Sequence, residues 1–198
     1  RLSDKTLAPL LDGLISLQDL RSIDLSENDL DAKGAKALQQ LLAQRSCLLT
    51  EVHLRRSDVD DDECRALCEA LELNTASQLQ VLDLSDNLIG QKEEVNEFNP
   101  EFQTGGEALG AMLSATSTLT TLDLSWNSIR GTSAKALASA VRTNATLTLL
   151  NLSHNRLDED GGVAIGDALE TNTSLQEVRM AHCFVGAKGS IVLSQALT

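Results

Sequence analysis

One motif recurs along the 198-residue chain and limits what it can fold into. The segments LRSIDLSENDL from Leu20, LTEVHLRRSDV from Leu49, LQVLDLSDNLI from Leu79, LTTLDLSWNSI from Leu119, LTLLNLSHNRL from Leu147 and LQEVRMAHCFV from Leu175 align on L-x-x-L-x-L-x-x-N-x-L. Their starts lie 29, 30, 40, 28 and 28 residues apart. A fixed period of this length marks a stacked architecture in which one supersecondary unit is repeated. Apolar and polar residues alternate over the second and third leucines, the period of a short strand buried on one face. The second half of each unit, as in SAKALASAVRTN or GGVAIGDALETN, spaces apolar residues for an amphipathic helix, with Ala136, Leu137, Ala140 and Val141 as one example. A strand and a helix alone cannot cover both apolar surfaces. Neighbouring units therefore stack, strands into a parallel sheet and helices into an outer layer. Strands pack about 4.8 Å apart and helices about 10 Å apart, so the stack curves with the sheet inside. The expected fold is an α/β solenoid, a horseshoe arc with a concave sheet and convex helices.

Composition agrees with many small layers. Aromatic residues make up 2% of the chain and tyrosine is absent, which leaves leucine, alanine and valine to build the core. The formal net charge of −13 opposes nucleic acid and anionic membrane as general partners, since both are polyanions. A protein with a basic surface is the better electrostatic match. No apolar run approaches a membrane span and the opening RLSDKTLAPLL lacks a signal-peptide layout, so the cytoplasm is the expected location. Of the four cysteines, only Cys64 and Cys68 are close. Two ligands do not close a zinc site, and buried structural thiols are the expectation.

The repeat resembles the leucine-rich repeat family, and its long period with a helical second half resembles the ribonuclease-inhibitor-like subclass. The resemblance covers about residues 20–198. Asn28, Asn87, Asn127 and Asn155 occupy the family's asparagine position, whose side chain is expected to cap backbone groups where the chain leaves the strand. Ser57 and Cys183 depart from it, and a looser turn is expected at Ser57. Ala35, Cys64, Gly106, Ala134, Gly162 and Ser190 fall at equivalent helix starts, where a close approach of turn to helix requires small side chains. The expected organisation is a single solenoid over 1–198: a partial repeat at 1–19, six repeats starting at 20, 49, 79, 119, 147 and 175, and an insertion at 91–102. Neither end carries a polar cap, so a fragment of a longer solenoid is expected.

Residues between and just after the strand leucines point to the concave side. These include Arg55, Arg56, Asp83, Asp86, Asp123, Trp126, His154 and His182. Trp126, the sole tryptophan, is therefore expected on the inner surface, beside His154 and His182 in the same column. Tryptophan is enriched among residues that dominate interface energy; the alternative is a ring that lies across its neighbours and binds nothing. A metal site at His154 and His182 has only two imidazoles to offer, and solvated histidines are the preferred reading. No serine has a base oriented by an acid, and the glycine pairs 105–106 and 161–162 open helices rather than phosphate loops. Three Asn-x-Ser/Thr sequons, at Asn144, Asn151 and Asn172, read as chance. No cofactor is expected.

Two features break the repeat. The 40-residue spacing comes from the insertion QKEEVNEFNPEF, which holds Phe98 and Phe102 among Glu93, Glu94, Glu97 and Glu101. It is either a docking loop that presents two rings or a tolerated insertion whose rings fold back. The second feature is an acidic rim in the loops that leave the strands: Asp29, Asp31, Asp58, Asp60, Asp61, Asp62, Glu63, the insertion's glutamates, Asp158, Glu159 and Asp160. Carboxylates before helices stabilise helix N-termini by about 0.3–1 kcal/mol each, which does not explain five in one loop. The excess suggests steering of a basic partner. The functional expectation is a non-catalytic protein-interaction module, a scaffold or regulatory unit binding through its concave face and acidic rim, in the cytoplasm or alternatively on the cytoskeleton or cilium. The rival is a GTPase-activating protein similar to the Ran-directed activator, which unchanged hydrolysis by GTP-loaded Ran would remove.

Overall fold

A computed structural model of the chain describes residues 4–14, 17, 19–93, 98, 99 and 101–196. The elements alternate: α1 Asp4–Leu14, β1 Ser22–Asp24, α2 Ala32–Leu42, β2 Glu51–His53, α3 Asp61–Leu73, β3 Val81–Asp83, α4 Gly105–Ala115, β4 Thr121–Asp123, α5 Gly131–Thr143, β5 Leu149–Asn151, α6 Asp158–Leu169, β6 Glu177–Arg179 and α7 Gly186–Ala196. The six strands form one parallel sheet in chain order. Ser22, Glu51, Val81, Thr121, Leu149 and Glu177 lie side by side across it. Each helix packs against the next, so the molecule is an α/β leucine-rich repeat solenoid.

The core is a set of columns. Val52, Leu82, Leu122 and Leu150 fill the middle strand position, and Leu54, Leu84, Leu124 and Leu152 follow two residues on, all buried. Val59, Ile89, Ile129 and Leu157 close the turn below them and are fully enclosed. Burying each such side chain stabilises the fold by about 1.5–3 kcal/mol before entropy is subtracted. The column loosens at β6, where Val178 is only half-buried, because β6 is the edge strand of the sheet among the described residues.

Asparagines sew the layers together. Asn87 Nδ2 donates to the Leu54 carbonyl at 2.8 Å and its Oδ1 accepts from Ser57 N and Val59 N at 2.9 and 3.1 Å. Asn127 and Asn155 repeat this, reaching Leu84 O and Leu124 O and accepting from Ile89 N and Ile129 N. Ser57 is not the loose turn expected. It is fully buried, and its hydroxyl donates to Leu25 O at 3.0 Å while its own carbonyl accepts the Leu30 N–H at 2.9 Å. The main chain supplies the acceptor that asparagine would have carried. In both repeats without the asparagine, the following residue, Asp58 or Phe184, turns left-handed (φ 57° and 56°).

The small residues at the helix starts meet their neighbours closely. A Cβ on Gly106 would stand 2.3 Å from the Ser133 Cβ. Ser190 does not share this role: it is exposed, and Gly189 is the buried residue that lies against the Gly162 backbone.

A ring stack on the concave face

The residue before each asparagine position adopts the left-handed conformation in all six repeats: Glu27, Arg56, Asp86, Trp126, His154 and His182, with φ between 51° and 60°. None is glycine. In the first five the conformation is supported by hydrogen bonding, the N–H of each donating to the next repeat: to Arg55 O, Ser85 O, Ser125 O, Ser153 O and Ala181 O, at 2.7 to 3.0 Å. A left-handed non-glycine residue costs energy locally, and the sheet extension offsets it. The side chains of this column stand clear of the core.

The column has two halves. In the first, Arg56 bonds Asp86 Oδ2 through Nη2 at 2.7 Å and Nε at 2.9 Å, and its Nη1 is 3.8 Å from Glu27 Oε1. In the second, Trp126 stacks on His154 with ring centroids 3.8 Å apart and planes within 11°, and His154 stacks on His182 at 4.6 Å and 23°. Trp126 is 57% exposed. Near-parallel imidazoles aim their in-plane lone pairs side by side, a poor arrangement for converging on one ion. Among the described residues no group of three or more His, Cys, Asp or Glu comes together to hold a metal.

Below this column run the strand-end residues Asp24, His53, Asp83, Asp123, Asn151 and Arg179. Asp123 Oδ1 accepts from the Ser125 hydroxyl and N–H at 2.6 and 2.9 Å, and its Oδ2 from Asn151 Nδ2 at 2.8 Å. Asp83 Oδ1 accepts the Ser85 N–H at 2.9 Å, and its Oδ2 is 3.9 Å from His53 Nδ1. The Ser26 hydroxyl and N–H hold Asp24 below the usual carboxylate range against a small opposing effect of burial, with help from His53. Arg55 is exposed beside Arg56.

The acidic loop of repeat two is largely consumed internally, which corrects its reading as a free rim. Asp61 is fully buried; it cannot meet a partner. Its Oδ1 accepts from Gly90 N and Gly105 N at 2.9 and 2.7 Å, and its Oδ2 from Lys92 N at 2.8 Å. One carboxylate thus ties the departure of the inserted segment to its return. Lys92 pairs with both Asp60, at 2.6 Å, and Asp62, which also bonds Arg65 at 2.7 Å. Burial pulls the Lys92 ammonium down, but the two carboxylates outweigh it and hold it above its ordinary range. Asp60 and Glu63 form a capping box at α3. Burial, then the hydrogen bond and charge of Asp60, push Glu63 up to about 7. Asp60 is drawn down to about 2: burial opposes this, and its bonds to Glu63, Lys92 and the Asp62 N–H prevail.

The insertion's two phenylalanines part company. Phe98 is 88% exposed, whereas Phe102 is half-buried with the Arg65 guanidinium 5.6 Å from its ring centre. Glu93 is buried rather than displayed. Glu94 and Glu97 lie outside the described residues.

A leucine-rich repeat family model matches residues 16–38, 116–138 and 143–166. Ribonuclease inhibitor of Mus musculus is 33% identical over 82 residues, 41% of this chain and 18% of the inhibitor; that of Sus scrofa is 30% identical over 90 residues, 46% and 19%. The chain carries leucine-rich repeats similar to those of ribonuclease inhibitor. It spans less than a fifth of the length of these curated relatives. The solved structure of actin-binding site 2 of leiomodin-1 superposes with a TM-score of 0.61 at 23% identity, covering 81% of this chain and 85% of that one. The C-terminal domain of Caenorhabditis elegans tropomodulin superposes at 0.53 with 13% identity, covering 97% and 92%. These two likenesses are of fold.

Leucine-rich repeat asparagines on the strand side have a counterpart on the helix side that sequence reasoning missed. Asn74 Nδ2 donates to Leu42 O and Gln44 O, Asn144 to Leu113 O and Asn172 to Val141 O and Asn144 O, all within 2.6–2.9 Å. Each side-chain oxygen accepts from its own loop, at Ala76 N, Thr146 N and Ser174 N. The signal was present: an asparagine three to five residues before Leu79, Leu147 and Leu175. It also accounts for two of the three sequons, whose amides are committed to the fold.

Proposed function

We propose that this solenoid is a non-catalytic module that binds a basic partner protein across its concave face, with Trp126, His154 and His182 as the central contact. The observation that carries the reading is the stack itself, a row of three rings on the inner face, with Trp126 and His182 exposed and His154 between them, in a chain of net charge −13. Open aromatic rows are costly to expose and bind well-shaped partners when desolvated. Asp83, Asp86 and Asp123 supply the negative field beside it. The rim contributes less than its composition suggests, since Lys92 and Arg65 already engage Asp60 and Asp62. No helix of the described residues is long and apolar enough to cross a membrane; residence in the cytoplasm, or on the cytoskeleton, is part of the same proposal.

The test is photo-crosslinking in cell extract with a reactive side chain placed at position 126, and in parallel at Arg142 on the helix layer. Captured proteins are then purified and titrated against the wild type and Trp126→Ala. The leiomodin-1 segment is an actin-binding site, so actin filaments join the panel. The reading expects a partner captured at position 126, with a basic contact surface, and at least about tenfold weaker binding by Trp126→Ala. Capture only from the helix layer, or binding indifferent to Trp126→Ala, defeats it.

A further inference from the structure

We infer that the concave face seats a guanidinium group of its partner, an arginine side chain lying flat on the open face of Trp126 with its N–H donors turned to Asp86 and Asp123. The inference rests on the protein-binding reading above and names the chemistry of one contact within it.

The ring stack runs from His182 through His154 to Trp126 and stops there. His154 covers one face of the indole. The opposite face is turned toward the preceding repeat, where Asp86 holds the equivalent position and donates its N–H to Ser125 O at 2.8 Å. Among the described residues no further ring and no guanidinium lies against that face, and Trp126 remains 57% exposed. Arg56, two repeats before Trp126, is held at Asp86, with two bonds to Asp86 Oδ2 and a longer approach to Glu27.

Beneath the indole, Asp83 and Asp123 sit in register on adjacent strands. Bonds from Ser85, Ser125 and Asn151 fix the direction of these carboxylates. A carboxylate offers about four acceptor sites, so each keeps capacity for a further donor. An aromatic face bordered by carboxylates suits a planar cation. A guanidinium can lie on the ring while its edge donates to carboxylates on either side. An ammonium is a compact point charge and satisfies one of these demands at a time. An apolar segment would desolvate the carboxylates without pairing them, and an anionic segment would be repelled.

Trp126 is the only tryptophan and there is no tyrosine, so intrinsic emission reports directly on the site. The probe is an acetylated, amidated peptide of alternating glycine and arginine, five residues long, compared with its lysine and citrulline analogues. The arginine peptide is expected to change Trp126 emission saturably, the lysine peptide to bind at least about threefold more weakly, and the citrulline peptide not to bind. Asp86→Asn and Asp123→Asn should each weaken the arginine peptide about tenfold, and Asp160→Asn should not. Asparagine tolerates the left-handed conformation at position 86, so that variant keeps its fold, which circular dichroism checks. An equal response to citrulline, or no response to arginine, overturns the inference. If a partner crosslinked at position 126 still binds while the arginine peptide does not, this contact falls and the protein-binding reading stands; if neither binds, both fall.

Discussion

Glu93 Oε1 accepts the Ser133 N–H at 3.2 Å and the Thr132 hydroxyl at 2.9 Å, so a side chain of the inserted segment closes the first turn of α5. Arg130, the residue at the N-cap of that helix, makes no side-chain cap bond of its own. The same borrowing occurs at α7, where Glu159 Oε2 accepts the Lys188 N–H at 3.0 Å. Acidic residues in one repeat serve the helix of the next.

Glu93→Ala should destabilise the chain by about 1–2 kcal/mol, the range for loss of a helix cap. Urea unfolding followed at 222 nm checks it. A cost indistinguishable from that of Asp160→Ala would show that the cap is idle.

Asp61→Ala should cost more, about 3 kcal/mol, because three backbone N–H groups, two of them buried, lose their acceptor. Hydrogen exchange adds a local readout: amides at Gly90, Lys92 and Gly105 should lose protection before those of β4.

Core truncations should grade along the solenoid. Leu122→Ala, at a fully enclosed site in β4, is expected to cost about 3 kcal/mol and Val178→Ala, half-buried at the sheet edge, about 1 kcal/mol. Thermal unfolding of the two variants side by side decides it, and equal costs would contradict the graded packing.

Glu63 gives the chain a pH dependence of defined sign. Its carboxyl titrates near 7 in the folded chain against an ordinary 4.5. Between these values the folded state keeps a proton that the unfolded state has shed, so stability declines as pH rises from about 4.5 to about 7. Glu63→Gln should flatten that slope. Asp60, drawn down to about 2 from 3.8, acts below this window: its contribution is lost as pH falls from 3.8 toward 2.

The fold was legible because it is written in a periodic signal. Leucines at Leu79, Leu82 and Leu84 recur at Leu119, Leu122 and Leu124, and hydrophobic burial acts on each layer alike. The shared column of Trp126, His154 and His182 followed from the same alignment. Their face-to-face contact did not, since ring orientation depends on a left-handed backbone that no glycine announces. Asp61 was illegible for another reason. Its role requires residues 90 and 105 to return to residue 61, and a rim aspartate and a buried tether look identical in one dimension. Ser57 shows the converse: a weak substitute in sequence terms is rescued by the main chain around it.

The left-handed column carries one more consequence. In its first five residues the backbone conformation is held by amides donated to the next repeat, and its side chains meet one another rather than the core. The row therefore behaves as a set of interchangeable keys on a fixed frame, where an ionic residue in one layer and an indole in the next are mechanically equivalent. Changes of recognition can be composed there one layer at a time, with the scaffold indifferent to the choice.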